Sequence, residues 1–180
     1  MKRIFLALSF TLIICVSCNN SSEKKEQASI NNQNTEKTIQ QLEIHFSFKT
    51  SETDVFKIAM NNIKVDELQR KHIQIFETVS PSIDFDNIIA KFDKNNMSKN
   101  IVFGLGNKKN KEVTNKSINV FFNYKNLNIN TPEKMSKFLK FNKFIQRDST
   151  SMILKTNIID GKHSPSFTLT KKLINKLNKD

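Results

Sequence analysis

Tryptophan is absent from this sequence, and Tyr124 is its sole tyrosine. Those rings are the usual surface on which sugars stack, because each joins an apolar face to a polar rim. A broad aromatic platform for glycans is therefore excluded, although Phe121, Phe122, Asn123 and Tyr124 can still supply a small patch. Glycine is nearly as scarce, with Gly104, Gly106 and Gly161 the only three. They leave no material for a phosphate-cradling loop, and neither G-x-G-x-x-G nor G-x-x-x-x-G-K-S/T occurs. G-x-S-x-G and H-E-x-x-H are missing too, so the common hydrolase and metalloprotease signatures are excluded. Cysteine is confined to Cys15 and Cys18. Residues 19–180 consequently have no disulfide, no cysteine nucleophile and no thiolate metal site, and their stability must come from an ordinary apolar core. Arginine, the preferred bidentate reader of phosphate, is limited to Arg3, Arg70 and Arg147 in a chain of formal net charge +12. Lysine carries the basicity and lies scattered among asparagines. This reads as solvated surface charge, with nucleic acid disfavoured and an anionic partner the minority reading.

What is present begins with the first eighteen residues. Lys2 and Arg3 precede an apolar run, Ile4 through Leu8 then Phe10, Leu12, Ile13 and Ile14, broken only by Ser9 and Thr11. A basic start and a core of that length make a secretory signal, too short to span a bilayer comfortably. The run ends at Cys15-Val16-Ser17-Cys18, a small residue directly before a cysteine. This arrangement resembles the lipobox of bacterial lipoproteins, with Cys15 standing where that motif usually has leucine. The resemblance implies cleavage between Ser17 and Cys18 and acylation of Cys18 with diacylglycerol and palmitate-type chains. Two or three chains anchor a protein stably where one holds only marginally.

Residues 18–39 hold Ser21-Ser22, Glu23-Lys24-Lys25-Glu26 and Asn31-Asn32-Gln33-Asn34, and from Asn19 to Thr38 Ile30 is the only large apolar side chain. Such a segment buries too little to offset its ordering entropy and reads as a tether. From residue 40 the pattern changes. Leu42, Ile44, Phe46 and Phe48 alternate with polar residues, as one face of a strand requires. Further strands are expected at 55–60, around Ile73 and Ile75 up to Ser80-Pro81, through Ile83 and Phe85 into 88–92, and at 101–105. Others follow at 118–122, 127–129, 152–154, 158–159 and 167–169. The glycines at 104 and 106 predict a bulge or a close approach of another segment, and Asn107 to Lys111 reads as a polar loop. Thr131-Pro132-Glu133 starts a short helix, and Leu173, Ile174 and Leu177 share one face of a last one. Many short strands with two accessory helices predict a mainly β fold, an antiparallel β-sandwich or jelly roll over residues 40–180. The strands around Leu42–Thr50, Ile73-Gln74-Ile75-Phe76, 101–105 and 159–163 resemble those of small, uncharacterised lipoproteins of diderm bacteria. There a lipid-tethered β-sandwich, somewhat like carbohydrate-binding modules, follows the signal. That resemblance rests on strand patterns and carries over no functional residue.

Few side chains qualify as a site. His45 and His72 take the polar register of their strands and could meet on one sheet face to share a ligand or metal. Asp84 and Asp86, two apart, could bind Ca²⁺ or do acid–base work, with a solvent-facing strand edge as the plainer reading. Asp160-Gly161-Lys162-His163 reads as turn chemistry. Tyr124 with one outward ring of Phe121 and Phe122 could touch a glycan, unless the Pro132 helix covers it. No cofactor is implied. The expected role is a lipid-anchored, non-enzymatic module of the cell envelope, held at the outer membrane and facing periplasm or surface, that binds or scaffolds an envelope protein. A glycan-binding module is the first alternative, and a hydrolase with an unrecognised carboxylate site the second.

Overall fold

The computed structural model describes residues 41–93 and 98–178. The signal, Ser17, Cys18 and the tether lie outside those residues. So do residues 94–97.

Two antiparallel sheets face each other. The six-stranded sheet runs β4 (Asp86–Phe92), β1 (Leu42–Thr50), β6 (Glu112–Phe122), β10 (Ile153–Thr156) and β9 (Ile145–Arg147), with β7 (Lys125–Ile129) also paired to β6. In the five-stranded sheet the order is β3 (Arg70–Val79), β2 (Asp54–Lys64), β5 (Asn100–Gly104), β11 (Ser166–Leu169) and β8 (Leu139–Phe141). The alternation in β1 does what a period of two requires: Leu42, Ile44, Phe46 and Phe48 are all buried. Phe56, Ile58 and Met60 answer from β2, with Ile101 and Phe103 from β5. The mainly β sandwich expected from the sequence is the fold observed.

Phenylalanine joins the sheets. Phe46 meets Phe103 and Phe167 edge-on, at 5.7 and 6.0 Å between centroids. Phe48 stacks on Phe56 at 5.0 Å, and Phe103 on Phe167 at 4.6 Å. Offset and edge-to-face pairs of this kind add to the area term of burial. Along one flank, α1 (Pro132–Phe138) packs on β7 and β8, and α2 (Lys171–Asn178) packs on β7. Thr131 caps α1 by accepting from the Lys134 N–H. The apolar stripe Leu173, Ile174 and Leu177 of α2 is buried in the common core, as its spacing predicts.

Of the expected strands, the one through 83–92 forms only from Asp86 onward, and the one at 158–159 does not form. Residues 81–85 are irregular and Ile83 is 88% exposed. The Ser82 hydroxyl accepts the Asp84 N–H, Lys49 donates to the Ile83 carbonyl, and Phe85 lies beneath the ammonium groups of Lys49 and Lys116. Ile158 is half exposed, and Ile159 makes only a bridge to Lys162. Between them Asp160 and Gly161 both have positive φ, 51° and 69°. That is the geometry of a two-residue turn of the kind Asp-Gly favours. The sequence pattern also omits β8 and β9, whose three residues each are too few to display a period.

Phe46→Ala should cost about 3–5 kcal/mol, the range for deleting a buried ring. Tyr124→Ala, at an exposed turn, should stay within about 0.5 kcal/mol. Chemical denaturation of both variants checks the contrast.

Candidate functional site

Gly104 faces outward on β5, in register with Lys57 of β2 on one side and Ser166 of β11 on the other. Lys57 in turn stands beside Phe76 on β3. A Cβ at Gly104 would lie 2.9 Å from Lys57 Cγ, so glycine lets the lysine stem lie flat across the sheet. The result is a groove of about 310 Å³ on the outer face of the five-stranded sheet. Val55 and Phe76 form its apolar side, 37% and 56% exposed. Asn107, Ser164, Pro165 and Ser166 form the opposite rim, and no carboxylate lines it.

A buried ion pair holds that rim. Asp54 opens β2, and its Oδ2 accepts from Lys111 Nζ at 2.6 Å and from the Lys108 N–H at 2.9 Å. Its Oδ1 accepts the Val55 N–H at 2.7 Å. Lys111 also donates to the Leu105 carbonyl, at 3.1 Å. The two side chains are 1% and 0% exposed. Charges so far from water persist only when fully hydrogen-bonded, and here the bonds close the loop from Leu105 to Lys111 around the carboxylate. Gly106, with φ +74°, has no room for a Cβ, which would stand 2.1 Å from Asp54 Cγ. Toward the other sheet, the Lys111 N–H donates to Thr156 Oγ1 at 2.9 Å, and His163 Nε2 lies 3.1 Å from the same oxygen. Burial pushes the Asp54 carboxyl up. The hydrogen bonds from Lys111, Lys108 and Val55 outweigh it and hold the group below the ordinary aspartate range.

The histidines expected to meet are on different sheets, His45 on β1 and His72 on β3. His45 hydrogen-bonds Glu43, and its ring tilts against Phe121 at 5.0 Å. That bond, with Lys91 alongside, lowers the Glu43 carboxyl despite burial. Phe121 is the outward ring of its pair, and it is His45 that meets it. His72 Nδ1 accepts the Asn62 N–H beside a bulge in the β2–β3 pairing. Tyr124 stands 75% exposed at the β6–β7 turn with Lys125 over its ring, apart from the groove. Asp84 lies in the irregular stretch and Asp86 at the start of β4, so they share no strand face. Among the described residues no three or more acidic, histidine or cysteine side chains gather as a metal site would require. His163 belongs to the network beneath the rim, with its Nδ1 buried and unbonded by protein atoms.

Sequence reasoning passed over Asp54, Lys111, Val55 and Phe76. Two signals pointed toward them. The glycines at 104 and 106 marked the close approach that the structure shows, and Phe76 is an aromatic residue in the outward register of a strand whose inward residues are Ile73 and Ile75. The sequence matches no protein-family model, and neither a curated protein nor a solved structure matches it.

Asp54→Ala or Lys111→Ala should each destabilise by about 3–5 kcal/mol, because each leaves a buried charge alone. Replacing both by apolar residues of similar size should recover most of that loss, read by denaturant midpoints. Because Asp54 titrates lower in the fold than in the unfolded chain, its stabilisation is present above an unfolded pKa of about 4 and is lost as pH falls below it. The Asp54→Asn variant should therefore lose stability less steeply than the parent between neutral and acid pH.

Proposed function

We propose that this chain is a lipid-anchored protein of the cell envelope whose β-sandwich is a non-enzymatic binding module for an envelope protein. The observation that carries the binding reading is the groove at Phe76 and Val55 beside β3. That strand pairs only with β2 among the described residues. A free strand edge offers backbone hydrogen bonds to an extended segment of a partner, and outward apolar side chains beside it select alternate residues of that segment. The absence of any carboxylate from the groove favours binding over hydrolysis, and Glu43 and His45, which meet each other, lie on the other sheet. Anchoring rests on the leader that ends at Ser17-Cys18. No helix among the described residues is long and apolar enough to cross a membrane.

A glycan is the second reading, favoured by one ring, Phe76, framed by the polar Lys57, Asn107, Ser164 and Ser166. Tyr124 does not join that frame.

A photo-crosslinking residue placed at position 76 in cells should capture a discrete envelope protein, and one at position 124 should not. The Val55→Glu substitution should reduce that capture at least about tenfold, which corresponds to roughly 1.4 kcal/mol of binding. Equal capture at both positions sinks the protein-partner reading, and retention on a glycan array that Phe76→Ala abolishes would replace it. Metabolic labelling with palmitate should vanish in Cys18→Ala, and labelling that persists there removes the anchor.

A further inference from the structure

The ends of the sandwich differ in how their charge is balanced. Phe48 of β1 stacks on Phe56 of β2, and Phe46 meets Phe103 of β5. Strand β1 therefore begins, at Leu42, at the end where β2 reaches Asn61 and its partner β5 starts at Asn100. At the opposite end three ion pairs form, Lys109 with Glu52, Lys111 with Asp54 and Lys155 with Glu112, and one more, Lys91 with Glu43, lies on the six-stranded sheet near the entry end. The end where the chain enters the fold carries Lys99, Lys140 and Lys171 around a depression of about 590 Å³. Lys137, Lys172 and Lys176 surround a second of about 540 Å³ along α2. All six are exposed, none forms an ion pair among the described residues, and no acidic side chain lines either depression. Asp66 and Glu67, on the nearby β2–β3 turn, are offset there by Lys64, Arg70 and Lys71. The first turn of α2 holds Lys171 and Lys172 with no acid. Cations there oppose the positive end of the helix dipole, and an anionic surface would relieve them.

We propose that this lysine-lined end docks on the anionic phospholipid headgroups of the membrane that holds the chain, a reading that rests on the Cys18 anchor. Residues 19–41 separate Cys18 from β1 and span at most about 80 Å when fully extended, and they join the fold at the lysine-lined end. Surface charges act over about 8–10 Å at physiological salt, so the lysines engage only when that end faces the bilayer. Tethering at a membrane makes such encounters frequent, and multivalent weak contacts then suffice.

Full-length protein, purified from membranes and reconstituted into vesicles, tests both parts separately. Flotation with phosphatidylcholine vesicles reports the anchor, and protein that floats with neither vesicle type fails the anchor reading alone. Amine-reactive labelling read by mass spectrometry then reports the face. Lys99, Lys140, Lys171, Lys172 and Lys176 should label about fivefold more slowly on vesicles containing phosphatidylglycerol than on phosphatidylcholine alone, the factor expected of one lysine at an anionic surface. Lys109 and Lys155 should label equally on both, and high salt should erase the difference. Replacing Lys171, Lys172 and Lys176 with Glu, all on exposed positions, should abolish the protection of Lys99 and Lys140. Equal labelling on the two vesicle types overturns the proposal. So does protection by a soluble sulfated polysaccharide without protection by phosphatidylglycerol, which would assign the face to an acidic glycan.

Discussion

The ion pair between Asp54 and Lys111 is the constraint on which the groove depends. Three donors converge on one carboxylate, and the ammonium that neutralises it also takes the Leu105 carbonyl. A pair of this kind contributes little net stability compared with apolar residues of the same volume, since desolvation consumes most of the Coulombic gain. Its effect is positional. With both charges sealed from water, the loop from Leu105 to Lys111 has one arrangement that leaves neither charge alone, and that arrangement sets Asn107 at the rim. Gly106 is part of the same device, because any larger residue would occupy the space of the carboxylate.

Around that fixed corner the fold is conventional in its physics. A belt of stacked and edge-on phenylalanines joins the sheets, and two short helices cover a flank with buried methionine, phenylalanine, leucine and isoleucine. With cysteine absent from residues 19–180, no crosslink supplements this core. The outer faces are differentiated instead. The five-stranded sheet carries the groove and a free edge at β3, and the six-stranded sheet carries the Glu43, His45 and Phe121 cluster. Three ion pairs lie at one end, and the two lysine-lined depressions lie toward the other. The proposals of a bound partner on one face and a membrane at one end use different surfaces, so both can hold at once.

Much of the fold was legible because it is local. In β1, β2, β5 and β6 the alternation of apolar and polar residues depends only on the period of an extended chain. Thr131-Pro132 announces α1 by backbone chemistry within four residues. The same pattern misled at Ile83 and Phe85, where alternation occurs without a neighbouring strand to pair with. There the lysines at 49 and 116 hold Phe85 on the sheet surface instead. The pairing of His45 with His72 failed for a related reason: the polar register of a strand is readable, but the sheet to which the strand belongs is not.

The amino-acid order by itself determined the period of each long strand, the start of α1, and the close approach at Gly104 and Gly106. All of these are properties of a few neighbouring residues. Only the tertiary structure decided which lysine of Lys108, Lys109 and Lys111 is buried. Its partner Asp54 lies 57 positions away, and a loop of polar residues has no internal reason to prefer one. It likewise decided that Phe76, Lys57, Gly104 and Ser166 stand in one row, since they come from four strands brought together by sheet order. Strand order is set by packing across the whole core, a cooperative property that no short stretch of sequence carries.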